Sequence, residues 1–296
     1  MKLQNVINDF LLFCDKRNHS ESTKKTYVDR IKRFTRYLLC QNVDCYSKIS
    51  KHNISKYFTG YSEHARTTVK EECHVIRVFM KFLHQAEITF TDLSDEVPKY
   101  RFPVSPYESR LWSEDEIQRL LAVIDRGSPR GKRDYAIILM AARLGMRDSD
   151  IRGLRLDNLN WENQSIDYVQ SKTSIRNVLP ISEEIGLAII NYLKFGRPET
   201  DCVNLFVSCV PLYGEVRQAG HYIEMYRKKA GISKEKGKHA GIHSLRHNLA
   251  TNLLAAHVNV DHIFPILGHV NPETIHRYFQ TDVENLRKCA LSFEVV

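Results

Sequence analysis

The chain has 296 residues, 43% of them hydrophobic, which is enough apolar material for two separate cores. Lysine and arginine exceed aspartate and glutamate by 43 to 35, and the formal net charge of +8 points to a polyanionic partner. No apolar run reaches the ~20 residues of a membrane span and the start lacks the pattern of a secretory leader, so a cytoplasmic protein with no membrane partner is expected.

Leu3, Val6, Ile7, Phe10, Leu11 and Cys14 recur at helical spacing and predict a first helix. A second helix, with Tyr27, Ile31, Phe34 and Leu38 on its apolar side, starts after Ser20-Glu21-Ser22, a cluster able to cap it. Lys24, Lys25, Arg30, Lys32, Arg33 and Arg36 decorate that helix. A third is expected over about 51–61. A fourth covers about 65–86, where Val69, Cys73, Ile76, Met80 and Leu83 face inward at alternating gaps of four and three. Four such helices predict a small bundle over residues 1–102. Periodicity then stops: Pro98, Pro103 and Pro106 deny the chain a regular helix, and residues 103–110 read as a linker.

Ser113, followed three residues later by Glu116, is a capping-box pattern that opens a helix over 114–124 at the start of a second domain spanning 111–281. Helices are expected over 133–144, ending at Gly145, and over 148–154. Ile166 and Tyr168 on one side, and Val178, Leu179 and Ile181 on the other, flank a polar stretch and predict a β-hairpin with Lys172 at its tip. Further helices are expected over 183–195, 218–230, 244–257 and 260–267. In the tail 282–296, Val283, Leu286, Ala290, Leu291 and Phe293 fall at roughly helical intervals. The fold class is therefore mainly α, with a mixed α/β second domain built around a small antiparallel sheet. Seven scattered cysteines form no paired Cys-x-x-Cys pattern and read as reduced thiols, mostly packed, with no zinc site.

Four fragments carry chemistry. They are Gly145-Met146-Arg147 with Asp150 after it, Lys172 at the hairpin tip, His243-Ser244-Leu245-Arg246-His247, and Leu267-Gly268-His269 followed nine residues later by Tyr278. Attack on a phosphodiester builds negative charge on its nonbridging oxygens, and two forked, permanently charged guanidiniums match those oxygens. Arg147 and Arg246 suit that task. A tyrosine hydroxyl, with a pKa of ~10, needs nearby cations or a base before it is a useful nucleophile, and His243 and His269 can supply that help. A lysine on a hairpin tip, here Lys172, can carry a proton to a departing oxygen.

In the identity, order and spacing of these residues the chain resembles the tyrosine recombinase, or phage integrase, family, and in size and layout its Xer type. The resemblance implies a SAM-like helical core-binding domain followed by a catalytic domain. It assigns Arg147 and Arg246 to the scissile phosphate, Lys172 and His243 to proton transfer and phosphate contact, His269 to a supporting hydrogen bond, and Tyr278 to the attack that leaves a 3′-phosphotyrosine. Asp150 stands where the family usually has a glutamate; it is shorter but able to orient Arg147. After Tyr278 come Phe279 and Gln280, where Xer-type members more often continue with Thr-His, which favours integration or excision of a mobile element, with resolution of DNA the other use open to the chain.

The partner implied is double-stranded DNA, bound by a homotetramer on synapsed sites or by this chain paired with a related recombinase. No cofactor and no metal are expected. The resemblance turns Lys24, Lys25, Arg30 and Arg33 of the second helix, with Arg77 and Lys81 of the fourth, toward the duplex, and Arg176 is a further backbone-contact candidate. Two alternatives stand beside this reading: a type IB topoisomerase, which shares the tyrosine chemistry, and a catalytically weakened DNA-binding regulator of the same fold.

Overall fold

The computed structural model describes residues 3–60, 66–100, 111–216, 220–233 and 240–259. The chain divides into two compact units, Met1–Ser105 and Pro106–Val296. Among the described residues the structure is mainly helical with one small antiparallel sheet, and no helix is long and apolar enough to cross a membrane.

In the first unit, α1 (Leu3–Asp15), α2 (Glu21–Cys40), α3 (Lys51–Thr59) and α4 (Arg66–Gln85) follow the periodicity of the sequence. Ser20 caps α2 by accepting from the Thr23 N–H at 3.2 Å, and Ser50 forms a capping box with Asn53 at the start of α3. Phe10, Phe34, Phe79, Ile31, Ile54, Ile76 and Leu83 are wholly buried between the helices. Phe10 meets Phe79 edge-on at 5.4 Å and Phe82 at 5.2 Å, the geometry that ring quadrupoles favour. One charge lies inside this apolar packing. Glu72 on α4 is fully buried, and its carboxylate accepts from Arg30 at 2.7 Å and from the Tyr57 hydroxyl at 2.6 Å. A buried carboxylate without such partners would be too costly to keep ionised.

The second unit opens on α5 (Glu114–Ala122), entered through the expected capping box of Ser113 and Glu116. Next comes α6 (Pro129–Leu144), apolar on nearly all sides and correspondingly buried from Ala136 to Ala142. It starts four residues before the position expected from apolar spacing. Ser128 caps it, accepting from the Gly131 N–H at 3.1 Å, and Pro129 occupies the first turn, where its missing N–H costs nothing. A short α7 (Asp148–Gly153) leads into strands β1 (Leu159–Asn160), β2 (Ser165–Val169) and β3 (Arg176–Pro180), antiparallel in that order. Ile166 pairs with Leu179 and Tyr168 with Asn177; these four side chains are buried, while Asp167, Arg176 and Val178 face outward. Three helices complete the described residues: α8 (Glu183–Phe195), α9 (Gly220–Lys229) and α10 (Ile242–Ala255), the last starting two residues early. α8 and α10 both pack on α6, which makes α6 the axis of the unit.

Of the six described cysteines only Cys14 and Cys73 are buried, whereas Cys40 and Cys209 are exposed, so the expectation of mostly packed thiols does not hold. The expected helix over 260–267, the tail 282–296, His269 and Tyr278 lie outside the described residues.

Candidate active site

The turn between α6 and α7 sets the site. Gly145 ends α6 at φ 61° and ψ 23°, a left-handed conformation in which a Cβ would crowd the following carbonyl. The chain reverses there, buries Met146, and delivers Arg147 to the N-cap of α7. The same turn exposes the Gly145 carbonyl to α10, where Arg246, itself buried, donates to it at 2.6 Å. Two arginines 99 positions apart in the chain thus sit at one turn.

The β2–β3 hairpin closes over α7. Asp150 accepts through one oxygen from the Ser171 N–H at 2.9 Å and from the Ser171 hydroxyl at 2.7 Å, and its other, buried oxygen lies 3.6 Å from the Arg147 guanidinium. Arg147 donates to the Gln170 side-chain carbonyl at 2.8 Å, and Thr173 donates to the same oxygen at 2.7 Å. Lys172, between these anchored neighbours, is exposed in the turn. The shorter Asp150 therefore does two things at once, orienting Arg147 and holding the base of the hairpin turn.

His243 lies in the first turn of α10, three residues before Arg246. The protein packed around it lowers its pKa below the usual histidine value even though part of the ring meets solvent; Arg246, Arg147 and Lys172 push the same way, and Asp148 opposes them. That set of influences places His243 within electrostatic reach of both arginines and of the lysine. The first turn of α10 is held from behind by Trp112. Its indole N–H donates to Ser244 at 2.8 Å, its backbone N–H donates to Asn248 at 2.9 Å, and Ser244 donates on to the Gly241 carbonyl at 2.6 Å.

The structure brings Arg147, Asp150, Lys172, His243 and Arg246 together. Gln170, Ser171, Trp112, Ser244 and Asn248, which fix their positions, gave no signal of their own in the sequence. The nearest signal was the polar content of the hairpin turn. Two guanidiniums, an imidazole and an ammonium around one turn can receive a phosphodiester monoanion, match the negative charge that grows on its oxygens when the phosphorus is attacked, and supply a proton to its leaving oxygen.

Most of the expected DNA-contacting side chains are already engaged within the protein. Lys24 pairs with Asp15 at 2.6 Å and also with Glu21; Arg30 pairs with Glu71 at 2.5 Å and Glu72; Arg33 stands 3.6 Å from Glu72. Arg77 donates to the Pro98 carbonyl at 3.0 Å and the Val97 carbonyl at 3.3 Å, bracing the end of the unit. It lines a groove of about 230 Å³ with Lys70, His74, Lys99 and Tyr100. Arg176 forms a two-pronged pair with Asp167 across the hairpin, at 2.9 and 2.5 Å. Lys25 and Lys81 are exposed.

Comparison with known proteins gives a consistent picture. The model of the phage integrase family matches residues 110–285. A Sinorhizobium fredii protein that carries the proposed name integrase/recombinase y4rF is 30% identical over 74% of this chain, which spans about half, 52%, of that relative's length. Tyrosine recombinase XerC of Bacillus pumilus is 26% identical over 98% of this chain and 96% of its own. Among solved structures, a lambda integrase tetramer bound to a Holliday junction superposes with a TM-score of 0.68 at 18% identity, covering 92% of this chain and 78% of that one.

Proposed function

The chain belongs to the phage integrase family of tyrosine recombinases, and from that premise we propose that it is a site-specific DNA recombinase that cuts and rejoins strands through Tyr278. The observation that carries the reading is the convergence of Arg147 and Arg246 on the Gly145 turn, with His243 and the Lys172 hairpin beside them. In the proposed reaction the Tyr278 hydroxyl oxygen attacks the scissile phosphorus and bonds to it, giving a 3′-phosphotyrosine. The bond from phosphorus to the 5′ oxygen breaks, and Lys172 supplies the proton that this oxygen needs. His243, whose surroundings disfavour its charged form, is the group suited to take the tyrosine proton, and His269 adds a supporting hydrogen bond. The two guanidiniums hold the nonbridging oxygens while charge builds on them. Because one ester replaces another, the reverse attack by a free 5′ hydroxyl rejoins a strand without an external energy source.

The partner is double-stranded DNA. The acting form is a cytoplasmic homotetramer on two synapsed sites, or this chain paired with a related recombinase, and its use is integration and excision of a mobile element. Residues 1–102 serve as the core-binding domain, 111–281 as the catalytic domain, and 282–296 as a subunit-docking tail. The lambda integrase assembly of the same fold supports the tetramer, and Phe279-Gln280 after the nucleophile supports the mobile element.

The test uses a pool of nicked duplexes with randomised sequence around the nick, so that cleavage strands the enzyme on its DNA. The wild-type chain should give a protein–DNA adduct that survives detergent, and Tyr278→Phe should give none. If neither protein forms an adduct but both retain duplex, the chain is a binding regulator of the same fold.

A further inference from the structure

Gln170 is almost fully buried just after β2, and its side-chain carbonyl accepts from two donors of different origin. One is Arg147, at 2.8 Å, from the α6–α7 turn; the other is the Thr173 hydroxyl, at 2.7 Å, from the hairpin turn. The backbone of Gln170 also closes that turn, its N–H donating to the Ile175 carbonyl and its own carbonyl accepting from Ser174, both at 2.9 Å. Between Gln170 and Lys172, Ser171 is tied to Asp150. Both neighbours of the lysine are therefore fixed, and both fixings lead back to the residues that hold Arg147.

We propose that Gln170 is a positioning residue that locks the Arg147 guanidinium and the Lys172 turn to each other, so that the phosphate-holding group and the proton donor keep one spacing. This deepens the recombinase reading and rests on it. A neutral amide suits the role better than a carboxylate would. Its oxygen can accept from a guanidinium and a hydroxyl together, yet it leaves the positive charge of Arg147 available to an incoming phosphate. The buried setting of the amide strengthens both bonds and makes leaving either donor unmatched costly.

The experiment compares two esters of one duplex recovered from the randomised pool by its covalent capture on the wild-type chain. One carries the natural 5′ oxygen at the scissile bond and the other a bridging sulfur. A thiolate leaves without a proton, so a defect confined to Lys172 vanishes on the sulfur ester, whereas a defect at Arg147 persists. Lys172→Ala and Thr173→Val, the latter cutting only the turn side of the link, should slow adduct formation on the oxygen ester and recover on the sulfur ester. Gln170→Met, similar in size but without an acceptor, should be slower by roughly tenfold to a hundredfold on the oxygen ester and remain slower on the sulfur ester. Wild-type rates for Gln170→Met on both esters would overturn the proposal. Full sulfur rescue of that variant would overturn it too, because the Arg147 side of the link would then carry nothing. Should Gln170→Met melt at a lower temperature, Thr173→Val decides alone: equal slowing on both esters, or no slowing on either, refutes the link. A wild-type chain that forms no adduct with any duplex in the pool removes the recombinase reading and this proposal with it.

Discussion

Arg30 shows how a residue that reads as a DNA contact can be a structural one. Its guanidinium holds Glu72, whose side chain has no solvent exposure, at 2.7 Å, and Glu71 at 2.5 Å. Replacing it with alanine leaves a buried carboxylate that, among the described residues, has Tyr57 and the more distant Arg33 to answer it. The expected outcome is a loss of about 3 kcal/mol, seen as a lower denaturation midpoint before any change in DNA affinity is considered. His243 makes a prediction of opposite character. The protein packed around its partly exposed ring, helped by Arg246, Arg147 and Lys172 and opposed by Asp148, holds its folded pKa below the usual 6.5. Between that lowered value and 6.5 the unfolded chain binds the proton more readily than the folded one. The contribution of this group to stability is thus level above 6.5 and declines as pH falls through the window. His243→Gln should flatten that decline, and melting curves of both proteins across the window would check it.

At the level of elements, the left-handed turn at Gly145 is the point on which two arginines depend. Gly145→Ala should cost about 1–2 kcal/mol in thermal or urea unfolding, from backbone strain alone. It should also slow adduct formation, because both guanidiniums are hung on that turn. Much of this architecture was legible. Ser20 and Ser113, expected as caps, do cap α2 and α5, and the period-two pattern around 166–181 is a true hairpin with Lys172 in its turn; Ser50 and Ser182 cap α3 and α8 without having been expected to. The misread boundaries have identifiable causes. Pro129 and Gly131 look like breakers, yet proline fits the first turn of α6, and a side chain at Gly131 would lie 1.7 Å from the Asp125 carbonyl. α10 starts behind Gly241, which makes no side-chain capping bond and so leaves no signature. β1 is two residues long, below what alternation can register.

For the whole molecule, the count of 43 basic residues overstates the cations available to a polyanion, because Lys24, Arg30, Arg143, Arg152 and Arg176 are all held by nearby carboxylates. DNA affinity should still fall linearly on a log–log plot against salt. Lys25→Ala should reduce the slope by about one if that exposed lysine meets a phosphate, and titrations at several salt concentrations would show whether it does. The chemical residues could be read because their types and order are constrained by phosphate chemistry. Their supports could not, since Trp112 reaches Asn248 across 136 positions and nothing local marks such a pair. That same contact has a practical outcome. The chain contains two tryptophans, and they differ: Trp112 is 3% exposed beneath the first turn of α10, while Trp161 is 44% exposed between β1 and β2. Their fluorescence should separate into a short-wavelength component sheltered from iodide and a long-wavelength component quenched by it. The protein thus carries its own optical gauge of α10, readable without a dye as duplex arrives.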